Sequence, residues 1–542
     1  MFAGTIVNAQ SKNDERPNII IILADDLGYS DLGCYGGEIK TPNLDKLADE
    51  GLRFSQFYNA SRSCPTRASL LTGLYPHQAG IGRMTFNENQ PGYKGTMTHN
   101  GVTIAEVLKT AGYHTAMIGK WHVAETPLRN DQRQWLAHQV QYDEFAPKDN
   151  YPVRRGFDDF YGTIYGVVDY FDPFSLVSGE KPVHSVPKDY YSTVALADSA
   201  AAWVGKYSKS DKPFFMYLSF HAPHWPLHAL PEDIEKYEHT YTSGWDDIRR
   251  NRYERLKKSG LFASADDFLS PRQFTDLWSD NPSKEWDARA MAVHAAMVDR
   301  MDAEIGKVID ALVRTNEMNN TLIFFLSDNG CSNESCQMYS EGENDRPAET
   351  RHGEKIIYPR QKESLPGPQN VFASIGAKWA NVANTPFRFW KARSYEGGIC
   401  TPMIVCWPKG NAQKKGSVCA HAGHVIDLMA TCVDVAKAKY PDFYNNHAII
   451  PLEGLSLLPI LKTGAREGHR ELCFEHFNEK ALIDKSGWKI VRASNMNAWE
   501  LYNLNDDRTE LNNLAGKYPE KVSEMEQRYL EWEKKSMVVP RP

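Results

Sequence analysis

Four short apolar runs stand out along the chain: Ile19 to Ala24, Thr115 to Ile118, Phe214 to Phe220 and Leu322 to Leu326. Turn residues bound each of them, so each reads as a buried strand. Helical patterns fill the stretches between. Thr41-Pro42 supplies a cap and a first turn, Leu44, Leu47 and Ala48 make one face, and Gly51 stops the helix. A longer helix is predicted over Trp286 to Val313, with Met297, Met301, Ile305 and Val308 on one side. This alternation predicts an α/β fold, with a mostly parallel central sheet covered by helices on both faces.

After about residue 460 the pattern changes. Short strands are predicted at Glu471 to Phe474 and Trp488 to Val491, followed by a helix from Pro519 to Lys534. We read this as a small C-terminal α+β domain with an antiparallel sheet. The division is 16–460 for the large domain and 461–542 for the small one. Residues 231–285 form a charged, partly helical insertion. Residues 332–375 are rich in Glu, Asn, Pro and Gly and read as a long loop beside the fourth strand, and loops of that length are often functional.

Composition adds exclusions. The 542 residues are 24% charged with a net charge of −7, so no global basic field exists to hold nucleic acid. No apolar run approaches the roughly 18 residues that span a bilayer. Residues 1–15 read as an export-signal remnant or disordered tail, since Val7-Asn8-Ala9-Gln10 resembles a small-residue cleavage site. That makes the protein exported and periplasmic. Nine cysteines are too few for a disulfide scaffold at this size; Cys331 with Cys336, or Cys400 with Cys406, would be the pairs, and an odd count leaves one thiol free.

The polar residues carry the chemistry. All four predicted strands end in groups suited to a metal or an anion: Asp25-Asp26, Gly119-Lys120-Trp121-His122, His221-Ala222-Pro223-His224 and Ser327-Asp328-Asn329. In open α/β sheets ligands bind beyond the carboxyl ends of the strands. Asp25, Asp26, Asp328 and Asn329 are hard oxygen donors that suit Ca²⁺ or Mg²⁺ rather than zinc. Each pair alone would be a turn or a cap; two pairs at two strand ends favour a metal. Ser63 starts a predicted helix in which Pro65 suits the first turn and Gly73 ends it. Its amino end would face an anion, with Arg67 returning to the same face one turn later.

Ser63-Cys64-Pro65-Thr66-Arg67-Ala68-Ser69-Leu70-Leu71-Thr72-Gly73 resembles the signature of the type I, formylglycine-dependent sulfatases. Arg16-Pro17-Asn18 with Asp25-Asp26, Gly119-Lys120-Trp121-His122, Ser327-Asp328-Asn329-Gly330, Glu396-Gly397-Gly398 and Trp499-Glu500-Leu501-Tyr502-Asn503-Leu504 follow in family order. Ala222-Pro223-His224-Trp225-Pro226-Leu227 and Asn384-Thr385-Pro386-Phe387-Arg388 look most like the bacterial arylsulfatase branch. The resemblance implies an alkaline-phosphatase-like large domain and a nucleophile made by oxidising Ser63 to formylglycine. By resemblance, the hydrated aldehyde, polarised by Ca²⁺ and Arg67, attacks the sulfate ester. Asp25, Asp26, Ser63, Asp328 and Asn329 then hold Ca²⁺, and Lys120 and Lys391 hold the sulfate oxygens. His224 protonates the leaving alcohol, and His122 assists release of sulfate as a base. His77 and His221 are read as structural or supporting residues.

The first signature position holds Ser63 rather than cysteine, and Cys64 cannot substitute because Pro65 and Arg67 lie one residue too close to it. Serine-type signatures resemble those of bacterial sulfatases matured by an anaerobic radical enzyme, which is the implied partner. The alcohol side is open. Arg83 and Glu334 are candidate readers of sugar hydroxyls, and a sulfated glycan with terminal galactose or a hexosamine is the favoured substrate. A simple aryl sulfate is the alternative, and a phosphate or phosphonate monoester hydrolase of the same superfamily is the rival activity. A pseudoenzyme that only binds anionic glycans would have no use for a leaving-group acid.

Overall fold

A computed structural model describes residues 15–125, 144–262, 268–335, 349–358 and 363–539. The tail through residue 14, Cys336 and part of the long loop after the fourth strand lie outside the described residues. The central sheet has ten strands: β1 (Asn18–Ala24), β2 (Leu52–Phe54), β3 (His114–Gly119), β4 (Asp159–Thr163), β5 (Leu176–Ser178), β6 (Lys181–Pro182), β7 (Phe214–Ser219), β8 (Thr321–Ser327), β9 (Met403–Cys406) and β10 (Ser417–Cys419). Their order is β10-β2-β9-β8-β1-β7-β3-β4-β5-β6. The five central strands, β8-β1-β7-β3-β4, run parallel. Strand β9 pairs antiparallel with both its neighbours, and β5 and β6 close the other edge antiparallel.

The four apolar runs of the sequence are β1, β3, β7 and β8, and they form the middle of the sheet. Burial on both faces is visible in β1 itself. Ile20, Ile22 and Ala24 pack into one core with helices α1 (Pro42–Glu50), α3 (Ser192–Tyr207) and α5 (Lys284–Arg314). Ile19, Ile21 and Leu23 pack into another, which includes Cys64, Ala68 and Leu71 of helix α2 (Ser63–Thr72). A parallel strand covered by helices on each side has no polar face to show, hence the unbroken apolar run.

The C-terminal region is a four-stranded antiparallel sheet, β11 (Glu471–His476), β12 (Glu479–Asp484), β13 (Trp488–Arg492) and β14 (Glu500–Asn503), in sequential order. Cys473, Leu482, Ile490 and Leu501 meet Met525, Tyr529 and Trp532 of helix α7 (Pro519–Lys535) on one face. Leu472, Phe474, Ala481 and Val491 on the other face join the core of the large domain. The charged insertion carries helix α4 (Trp245–Lys258), which packs against α6 (Gly376–Ala383).

Of the two cysteine pairs expected, Cys400 and Cys406 do not pair; both are free, buried thiols. Cys406 ends β9 in register with Ile323 of β8, and both thiols pack as apolar groups in the buried core. Among the described residues no helix is long and apolar enough to cross a membrane.

Candidate functional site

Strand register explains why the polar strand ends meet. Leu23 stands beside Ser219, Ala24 beside Ser327 and Gly119 beside Ser219. Asp25, Lys120, Phe220 and Asp328 therefore leave four neighbouring strands within one residue of the same level. The backbone there is unusual: Asp26, Ser61, His122 and Ala392 all have positive φ. Non-glycine residues in that region are uncommon and collect at functional sites.

Helix α2 brings Ser63 to these ends. Its N-cap is Arg62, so Ser63 is the first helical residue rather than the cap. The Ser63 hydroxyl lies 3.2 Å from Asp25 Oδ1 and 3.2 Å from Asn329 Oδ1. One turn on, Arg67 is fully buried and donates Nε and Nη2 to Asp328 Oδ2 at 3.0 and 2.7 Å. Its Nη1 donates to the Lys120 carbonyl at 3.1 Å and to the Ser219 hydroxyl. The helix that carries the serine is thereby pinned to β3, β7 and β8 through one guanidinium.

Around Ser63 the charges pair tightly. Lys120 Nζ donates to Asp25 Oδ2. Lys391 Nζ lies 3.0 Å from Asp26, 3.3 Å from His224 Nε2 and 3.2 Å from Glu334 Oε2. His224 Nε2 lies 3.4 Å from Asp26, and its Nδ1 is 2.5 Å from the Trp225 carbonyl. That contact assigns the proton to Nδ1 and leaves Nε2 facing Lys391 and Asp26. Burial pushes the Asp328 carboxyl up to about 6, with Asp25 adding to it. Against the cost of burial, Lys120, His224 and Arg67 hold Asp25 well below the carboxylate range. Burial, helped by Lys120 and Arg67, drives His122 well below the ordinary imidazole value, and burial lowers His224 too. His122 Nδ1 has no hydrogen-bond partner among the described residues.

The donor set fits a hard divalent cation. Asp25, Asp26, Asp328 and Asn329 are between 0 and 2% exposed and offer oxygen donors, with Asp25 and Asn329 turned to the Ser63 hydroxyl. Atoms of Asp25, Asp26 and His224 also lie within 4.8 Å of one another. Asp25, Asp26 and Asp328 face Arg67, Lys120 and Lys391 in equal number, so a dication and an anionic sulfate group would enter with opposing charges. Burying either alone would be costly.

Of the sugar-side candidates, Glu334 joins the cluster. Its carboxylate accepts from Arg62 Nη2 at 2.9 Å, Trp225 Nε1 at 2.9 Å and Ser332 Oγ at 3.1 Å. Lys391 and Arg62 hold it well below the ordinary glutamate value against burial. Arg83 does not join. Its side chain ends on Glu88, at 2.5 Å, and on the Val539 carbonyl, at 3.0 Å, over the Tyr93 ring. His221 bonds the Thr163 hydroxyl at 2.7 Å, and His77 bonds Glu475 at 2.8 Å near the C-terminal sheet. Cys64 is buried with its sulfur against the Arg83 carbonyl, turned from the cluster.

Sequence reasoning missed Ser219 and Arg62. Ser219 is a hydroxyl ending an apolar strand, one residue before the point where the neighbouring strands turn polar, and that placement was the available signal. Arg62 adjoins Ser63 but carries no pattern of its own.

The family comparisons agree with this geometry. The model of the sulfatase family matches residues 17–438, and that of the N-sulphoglucosamine sulphohydrolase C-terminal region matches residues 387–535. An arylsulfatase of Klebsiella aerogenes is 33% identical over 86% of this chain and 96% of its own length. An uncharacterized sulfatase of Schizosaccharomyces pombe is 31% identical over 99% of this chain and 96% of its own. The solved structure of Ps i-CgsB in complex with k-i-k-neocarrahexaose superposes with a TM-score of 0.66 at 25% identity, covering 95% of this chain and 92% of that one. The chain belongs to the sulfatase family, as a sulfuric ester hydrolase with an alkaline-phosphatase-like α/β fold.

Proposed function

We propose that the protein removes O-sulfate from a sulfated glycan, with a formylglycine made from Ser63 as nucleophile and Ca²⁺ as its metal. The observation that carries this reading is the meeting of Asp25 and Asn329 oxygens at the Ser63 hydroxyl, with Asp26 bonded to the Asn329 amide and Asp328 accepting from the Asp26 N–H, at the neighbouring ends of β1 and β8. Those four side chains and the converted Ser63 would hold the Ca²⁺. When bound, the metal supplies Lewis acidity that polarises the attacking and sulfate oxygens. A serine needs an activating base, and the carboxylate beside Ser63, Asp25, is held against the cost of burial well below the ordinary range by Lys120, His224 and Arg67; so weak a base favours conversion over direct use.

Arg67, Lys120 and Lys391 then bind and orient the sulfate oxygens, and their buried positions strengthen each contact. His224 protonates the leaving alcohol from Nε2. Burial disfavours its charged form, and the anionic substrate offsets that penalty. His122, held neutral by burial and two nearby cations, is ready to accept a proton when sulfate is released. Glu334 reads a hydroxyl of the sugar at the rim, and Arg83, engaged by Glu88 and the Val539 carbonyl, is the lesser candidate for that role.

The neocarrahexaose held by the relative supports an oligosaccharide substrate. Terminal galactose or a hexosamine fits the expectation, and the domain division stays at 460. Export to the periplasm and maturation by a radical enzyme belong to the same proposal. Mass spectrometry of the Ser63 peptide, from enzyme made in its native host, tests it. Loss of two hydrogens at Ser63 is expected; unmodified serine in active enzyme would sink the nucleophile. Comparing turnover of matched sulfate and phosphate monoesters separates the reading from a phosphatase.

A further inference from the structure

The charged insertion, residues 231–285, takes no part in the sulfate site. Helix α4 and the segment Leu269 to Leu277 border an open cavity of about 490 Å³, lined by Asp246, Arg249, Arg250, Ser270 and Arg272 with Leu277. The volume is in the range of small-ligand sites. Among the described residues its lining carries three guanidiniums and one carboxylate.

Arg249 is the decisive group. Only 5% of it is exposed, yet among the described residues no carboxylate pairs with it. Its Nη2 donates to the Ser270 hydroxyl at 2.8 Å, and its Nε has no partner. Asp246, the one carboxylate among the described lining residues, bonds Arg272 at 3.0 Å instead. Burial pulls Arg249 down to about 10, with Asp246 opposing and Arg272 adding. An arginine kept for its stem would leave its head in water. Here the head is covered, charged and short of acceptors, a state that costs free energy until an anion arrives.

We propose that this cavity is a second oxyanion site, which takes a tetrahedral sulfate group on the guanidiniums of Arg249, Arg250 and Arg272. Donors arriving from three side chains match oxygens pointing in several directions, and the arginine fork engages two of them at once. The sulfate comes either free in solution or carried on a glycan chain, and the volume admits a sugar unit around it. The catalytic serine and the metal are not needed for this binding.

The test is a calorimetric titration of the whole chain with sodium sulfate, ionic strength held constant with chloride so that screening does not change. Two binding events are expected for the unaltered protein, one of them at the Ser63 cluster. Arg250 is exposed and Arg272 half-buried, so Arg250→Ala/Arg272→Ala leaves the core intact. That double variant should weaken one event about tenfold, near the size of one charged hydrogen bond. Arg249→Lys keeps the charge, removes the fork and should weaken the same event. A severalfold higher KM for a sulfated oligosaccharide in these variants would identify the chain as the source of the sulfate. A weakened event with unchanged KM would identify free sulfate. Sulfate titrations and KM that match the unaltered protein in both variants would overturn the site. Binding is read directly, so this result stands apart from whether Ser63 is converted.

Discussion

Two charges near the rim, Arg83 and Glu334, have the same standing in the sequence, each following a motif element by a few residues. The structure gives them different work. Glu334 sits between Lys391, Arg62 and Trp225. Glu334→Gln keeps the shape and loses the charge, so a sugar hydroxyl loses its strongest acceptor. We expect KM for a sulfated sugar to rise roughly tenfold, about 1.4 kcal/mol, and less for a small aryl sulfate. Steady-state kinetics on both substrates checks this, and equal effects would count against the role. Arg83→Ala instead removes an ion pair, a carbonyl contact and a guanidinium 4.4 Å from the Tyr93 ring. Its effect should be a loss of about 1–2 kcal/mol in stability, read by denaturant unfolding. What the sequence could not show was direction. The turn at Gly80 and the contact with Tyr93 aim Arg83 toward the C-terminal tail, and neither has a local signal.

The apolar runs made β1, β3, β7 and β8 legible because strands covered on both faces need unbroken hydrophobicity. Their polar ends were legible for a related reason: level strands stop being apolar at the same height. Strand β9 was not visible in this way. Met403 to Cys406 is short, and its antiparallel pairing between β8 and β2 leaves no trace in periodicity. The same element level explains a tight contact behind the proposed metal ligands. Gly330 follows Asn329, and a Cβ placed there would stand 1.8 Å from the Gly397 carbonyl oxygen. Its own N–H bonds the Gly398 carbonyl at 3.1 Å. Gly330→Ala must therefore push the Glu396-Gly397-Gly398 turn away from the end of β8. A loss of about 2 kcal/mol or more is expected, the scale of overpacking against backbone. Calcium titration should show weakened affinity as well, because Asn329 moves with it. Unchanged calcium affinity would mean that Asn329 is positioned by β8 alone.

At the scale of the whole molecule, the C-terminal sheet is bolted to the large domain by buried charge as well as by apolar contact. Lys489 of β13 is fully buried and bonds Glu396 at 2.9 Å and Glu510 at 2.7 Å. Glu396 also accepts from Arg508 at 3.3 Å and from the Tyr58 hydroxyl at 3.2 Å. Glu396 follows Lys391 by five residues, so the sheet braces the proposed sulfate pocket from behind. Lys489→Met would leave two carboxylates facing each other, at a cost of about 3–5 kcal/mol. The pH dependence has a definite sign. Burial, and Glu396 nearby, raise Glu510 from 4.5 to about 7 in the folded chain, against Lys489. The folded state then binds more protons than the unfolded state between those values. Its contribution to stability is therefore full below the window and declines as pH rises through it. Removing Lys489 takes away the group that opposes the rise, so the decline should extend to higher pH. Denaturant midpoints for the unaltered protein and Lys489→Met at about pH 5 and about pH 8 should differ least at the lower value. There Glu510 is protonated and only Glu396 is left facing the missing ammonium. A penalty independent of pH would mean that Lys489 acts through packing, and that the brace behind Lys391 does not rest on its charge.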